Sequence, residues 1–132
     1  MSPYARDQVF RLASAATFLA AGYHLAALVV PAFARIAYPA TYPAWRHVLF
    51  VIIDAGSAWL LLVRPPWLIW PYSVLVVQVW AGHGVEAWQH WRERGAIDGI
   101  SIISVIGVSI ILALLIVDRR RARPSSYSDR RA

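Results

Sequence analysis

The sequence predicts an all-α transmembrane protein, an antiparallel four-helix bundle with both termini in the cytoplasm. Three observations carry that reading. The 132 residues are 59% hydrophobic and only 15% charged, with a mean hydropathy of +0.51. A soluble domain carries about 25% charged residues because its surface must be wetted. The apolar residues also fall into four runs, each near the roughly 20 residues that a helix needs to cross a bilayer. Finally, arginine is distributed unequally between the segments that join those runs. An ordinary soluble enzyme and a disordered chain are both excluded.

The first run covers about residues 10–33, the second 47–63, the third 67–88 and the fourth 99–117. The fourth, GISIISVIGVSIILALLIV, has no charge and is rich in β-branched residues. Such residues are modest helix formers in water. In lipid the backbone must satisfy its own hydrogen bonds, so the helix wins. Residues 1–117 therefore form the transmembrane bundle, and 118–132 a basic, mobile cytoplasmic tail, RRRARPSSYSDRRA after Asp118, poised to rest on anionic lipid. Arg64-Pro65-Pro66-Trp67 reads as a tight turn, since paired prolines cannot continue a helix. Arg92-Glu93-Arg94-Gly95 separates the third and fourth spans. The YPATYP segment from Tyr38 to Pro43 reads as interfacial, with its tyrosines as anchors.

Four spans leave both ends of the chain on one side. That side collects Arg6, Arg11, Arg64, Arg119, Arg120, Arg121, Arg123, Arg130 and Arg131. The other has Arg35, Arg46, Arg92 and Arg94. Nine against four puts the termini in the cytoplasm. The formal net charge of +6 comes entirely from arginines at segment ends, so it speaks for orientation in a bilayer and against nucleic acid as a partner. A competing reading takes Arg6, Arg11, the first run and Ala32-Phe33-Ala34 as a cleavable signal peptide. The run is longer than an h-region of about 7–15 residues, so a retained span is the expectation. Cysteine is absent, which removes disulfides, thiol chemistry and cysteine-held metals.

Ionisable groups inside spans cost about 2.5–3.5 kcal/mol each on insertion scales, so each needs a reason. Here they are His24, His47, Asp54, His83, Glu86 and His90. Counted from Phe33, Trp45 and Trp91, the residues His24, Asp54 and His83 lie at one depth, about 12–13 Å in. Their spacings also place them on faces. His83, Glu86 and His90 are i, i+3, i+7, while His47 and Asp54, like Thr17 and His24, are i, i+7. The expectation is a polar pocket in the outer-leaflet half, with His24, Asp54, His83 and Glu86 as its ligand-binding residues. His47 and His90, near the interface, read as reaching water or headgroups, and Asp98 as a wet helix end. Gly82 and Gly84 read as small residues for close helix packing, with room for a ligand beside His83 as the second reading.

Several chemistries fit such a layer. Histidine and carboxylate could hold a divalent metal, with His24, His83, Glu86 and His90 as candidates. Two histidines from different helices, His24 and His83, could ligate haem. A proton-linked pocket for a quinone-like small molecule is a third reading. The fourth is purely structural, with the polar layer fixing helix packing in a non-catalytic structural or assembly protein.

The segments FLAAGYHL, WRHVLFVIIDAGSAWLLLVRP and QVWAGHGVEAW resemble the DoxX-like family of small four-span bacterial membrane proteins. The resemblance extends over Leu12 to Asp118 and is nearest to members with YPxxYPxWRHxxF and a later GHG. Gly22 and His24 match a glycine and polar residue late in the first span, and Asp54 matches an acidic residue in the second. His24 stands where many members have lysine. The resemblance implies a four-helix bundle in the bacterial cytoplasmic (inner) membrane. It also implies a link to quinone or thiosulfate redox chemistry, as an accessory subunit of a membrane oxidoreductase or as a homo-oligomer. Without cysteine, thiol redox does not carry over.

Overall fold

The computed structural model describes residues 2–30, 32 and 43–122. The Tyr38–Tyr42 stretch, Ala32-Phe33-Ala34 beyond its first residue, and tail residues 123–132 lie outside the described residues. Among the described residues all regular structure is helical. Four helical segments are long and apolar enough to cross a membrane: Pro3–Val29, Ala44–Val63, Pro66–Arg94 and Gly99–Arg121. The chain is an all-α, multi-pass membrane protein, and its spans form two compact units, residues 1–65 and 66–132.

The first unit pairs α1 (Pro3–Val29) with α2 (Ala44–Val63). Helix α1 starts seven residues before its apolar run, because Ser2 accepts from the Ala5 N–H at 3.2 Å and Pro3 sits at N1. It stops at Val29, four residues before the run ends. Val30 is extended, as suits a residue that precedes proline. Helix α2 ends at Arg64, which takes the left-handed conformation (φ 52°, ψ 51°) while its N–H bonds the Leu60 carbonyl at 2.7 Å. That conformation disfavours a side chain by about 1–2 kcal/mol. The Arg64 guanidinium is held by Asp7 at 2.8 Å and lies 4.9 Å from the Phe10 ring centroid.

Three buried residues of α1, Phe10, Ser14 and Ala21, lie along one stripe, with Ala27 also buried about a third of a turn away. They face His47, Ala58 and Leu61 of α2. The helices run antiparallel, because Asp7 meets Arg64, Ser14 meets Ala58 and His24 meets His47. Ser14 donates to the Ala58 carbonyl at 2.7 Å, a backbone approach that only small residues at both positions permit.

The second unit pairs a broken span with a continuous one. The span from Pro66 to Arg94 begins with a 3₁₀ turn (Pro66–Leu68) and continues as α3 (Ile69–Val79). It then widens into a π-turn (Trp80–Gly84) and resumes as α4 (Val85–Arg94). Gly95 closes it in the left-handed conformation (φ 63°), its N–H on the Trp91 carbonyl at 2.8 Å. The partner, α5 (Gly99–Ala122), begins at Asp98, whose Oδ1 accepts the Ser101 N–H at 3.2 Å. It continues five residues past its apolar run, so Asp118–Ala122 are helical rather than the start of a mobile tail. Arginine is a good helix former, and cations suit a helix C-terminus. Arg119 also donates to the Pro66 carbonyl at 2.8 Å. With Trp80 Nε1–H donating to Ser109 Oγ at 3.0 Å, this hairpin too is antiparallel.

In both units large apolar side chains point outward. Trp70 and Val74 are 70% exposed and Ile103 is 72% exposed. In water that surface would aggregate, whereas in a bilayer it is the solvated one.

Candidate functional site

Each hairpin carries one imidazole–carboxylate cluster. In the first, the stripe that packs α1 on α2 continues to His24, and the opposing face of α2 presents His47 and Asp54 one above the other. His24 Nδ1 lies 3.1 Å from His47 Nδ1, and His24 Nε2 lies 3.9 Å from Asp54 Oδ2. The His24 ring stacks on Phe50, with centroids 5.0 Å apart and planes 20° apart. The structure therefore brings His24 and Asp54 together, as their spacing predicts. Because α1 ends at Val29 and α2 starts at Ala44, their depths differ. His24 is about 8 Å from its helix end and Asp54 about 15 Å from its own, and the His24 ring bridges the gap.

His47 corrects an expectation. Rather than reaching water or headgroups, it is buried, at 8% exposure, against His24. Two Nδ1 atoms at 3.1 Å must share one hydrogen, one ring donating and the other accepting. If His47 donates, His24 Nδ1 is bare and its Nε2–H faces Asp54. If His24 donates, its Nε2 faces Asp54 bare, or the ring carries both protons and faces the carboxylate as a cation. Passing between these states moves a proton between the two Nδ1 atoms and adds or removes protons at the Nε2 atoms. At 3.9 Å the Asp54 contact is an ion-pair distance rather than a hydrogen bond. Thr17, on the same stripe as His24, turns its hydroxyl to the Ala13 carbonyl at 2.9 Å.

In the second hairpin, His83 sits in the π-turn. Its Nδ1 is 3.1 Å from Ser101 Oγ and 3.4 Å from Glu86 Oε2. Ser101 is fully buried and donates its own proton to Asp98 Oδ2 at 2.7 Å. Its lone pairs are then left to accept from His83 Nδ1–H, which points the hydrogen-free Nε2 away from Ser101. The Glu86 carboxylate lies at ion-pair distance on the same side of the ring. No described residue bonds His83 Nε2. Asp98 is therefore no passive wet end, since it caps α5 and anchors Ser101 beneath His83. The sequence places Ser101 with Asp98 at the outer end of the fourth span, pointing inward, and the structure joins the two.

Gly82 and Gly84 correct a second expectation. A Cβ at either position would meet nothing within 4 Å, so neither glycine serves close packing. They leave open space on both sides of His83, inside a π-turn, a distortion frequent at functional sites. His90, on the Glu86 face, is half-buried and makes no hydrogen bond or ion pair with a described residue. Among the described residues, no group of three or more histidine, aspartate or glutamate side chains converges in a way that could hold a metal ion.

No family model, no curated protein and no solved structure matches this chain.

Proposed function

We propose that this is a multi-pass protein of the bacterial inner membrane, of the DoxX-like type, with both termini cytoplasmic. In this reading it binds a small, polar-headed ligand of the quinone class at His83 and exchanges a proton with it, supporting a membrane redox process as an accessory subunit. The observation that carries the reading is the state of His83. Its Nδ1 is engaged by Ser101 and Glu86, while its Nε2 has no described partner and sits between glycines that leave space. With one proton, Nε2 accepts from a ligand hydroxyl. With a second proton, Nε2–H donates to a ligand carbonyl while Glu86 lies beside the ring. A quinol and a quinone present those two groups. Electrons would come from the partner oxidoreductase, and the Asp54–His24–His47 line supplies a second place where a proton can be held.

A structural reading has its own support. Ser101, fully buried between Asp98 and His83, is the kind of polar link that fixes two helices in register. Tryptophan fluorescence separates the two, because Trp80 lies in the same π-turn as His83. A short-chain benzoquinone titrated into the purified protein in lipid nanodiscs should quench it saturably, and His83→Leu should abolish the saturable part while leaving helix content unchanged. Equal, non-saturating quenching of both proteins would leave only the structural role. An absorption spectrum and metal analysis of the same sample test the haem and divalent-metal alternatives.

A further inference from the structure

The far end of the first hairpin holds a second polar constellation, remote along both helices from His24 and Asp54. An open cleft of about 310 Å³ lies there, lined by Asp7, Phe10, Arg11, Leu62 and Arg64. Three cations gather around one anion. Arg64 donates to Asp7 at 2.8 Å, the Arg6 Nε is 4.0 Å from the same Asp7 oxygen, and Arg11 follows Asp7 by one turn.

Arg64 is the unusual member. It occupies a left-handed C-cap where glycine is the common choice, and proline follows it, which restricts its backbone further. A guanidinium is thus kept at this point against the local preference of the chain. Asp7 and the Phe10 face fix its direction but use one of its five N–H donors. No described residue takes the others, and none pairs with Arg11. The two apolar members of the lining differ, Phe10 being buried and Leu62 half-exposed. Donors for an anion beside an exposed leucine, at the end of a membrane hairpin, suit an amphiphile better than a water-soluble ion.

We infer that this cleft binds the phosphate of an anionic phospholipid, with Arg64 and Arg11 as donors, Asp7 orienting Arg64, and the exposed Leu62 against the start of the acyl region. Basic pockets between helices recognise headgroups by this combination, and each arginine near the surface contributes about fivefold in affinity. The site is independent of the ligand proposed for His83.

The test is the melting temperature of the full-length protein in neutral detergent, titrated with soluble short-chain phosphatidylglycerol. Saturable stabilisation is expected. Arg11→Gln and Arg64→Gly should each weaken the half-saturating concentration about fivefold, and Arg121→Gln, in the last turn of α5, should not change it. Glycine retains the left-handed cap, and Arg11→Gln carries the test alone if Arg64→Gly does not fold. Three results would each overturn the site: equal stabilisation by short-chain phosphatidylcholine, equal stabilisation by inorganic phosphate at the same concentration, or an Arg121→Gln loss as large as that of Arg11→Gln. The phosphate result would identify a free anion rather than a lipid as the ligand.

Discussion

At the scale of single residues, the chain places ionisable groups where lipid penalises them and gives most of them a partner, His90 excepted among the described residues. His24 is the clearest case, held between His47 at 3.1 Å and Asp54 at 3.9 Å. Removing one member of such a pair strands the other, and an unsatisfied buried polar group costs about 1–3 kcal/mol. Removing both should cost less than the sum. His24→Phe retains the stack on Phe50 but removes the imidazole beside Asp54, and Asp54→Leu removes the carboxylate beside His24 while leaving its contact with His47. Each is expected to destabilise by about 1–3 kcal/mol in detergent unfolding, with a coupling of at least about 0.5 kcal/mol in the double variant. Strict additivity would show that the two side chains do not interact. The partners themselves were only half legible in the sequence. The i, i+7 spacing of His47 and Asp54 put both on one face, since helix periodicity alone decides that. That His47 turns inward rather than to the interface depends on where α1 ends. That end is set by Pro31 after Val30, a local backbone effect that a hydropathy window averages away.

Helical elements show the same division. All four spans were readable because lipid demands an unbroken apolar run, and nothing else in a chain this size produces one. Their ends were not, because polar residues such as Arg119–Arg121 extend a helix as well as apolar ones do. The π-turn at Trp80–Gly84 was also invisible. It shifts the phase of the helix by about one residue, and in a segment apolar all round that shift leaves no trace in the pattern. Its glycines give the sharpest test of its purpose. A helical glycine replaced by alanine normally gains about 0.5–1 kcal/mol, and here the new methyl meets no neighbour within 4 Å. Gly84→Ala should therefore raise the unfolding free energy by about that amount. If the space beside His83 is kept for a ligand, the same variant should lose quinone-induced fluorescence quenching while gaining stability. Higher stability with undiminished quenching would show that the ligand sits elsewhere. Lower stability would show that the π-turn itself needs glycine.

For the whole molecule the remaining question is which way it faces, and arginine carries the answer. The spans are even in number, so the segments before the first, between the second and third, and after the fourth share one side. They hold nine of the thirteen arginines. Because lysine is absent, no other cation dilutes the bias. Positive segments near span ends are retained in the cytoplasm, which predicts both termini inside. The bias is not evenly spread. Six of the nine arginines follow the fourth span, in Arg119, Arg120, Arg121, Arg123, Arg130 and Arg131, so the C-terminal segment should dominate orientation. Reporter fusions after Ala132 and between Tyr38 and Tyr42 should report opposite sides, the first cytoplasmic. Replacing all six C-terminal arginines by glutamine leaves three against four. The bias then nearly vanishes, and a mixed population of orientations is expected, read as partial activity of both reporters. An unchanged, uniform orientation in that variant would mean that Arg6, Arg11 and Arg64 suffice to orient the first hairpin and that the rest of the chain follows it. Both fusions reporting the same side in the unaltered protein would contradict four crossings altogether.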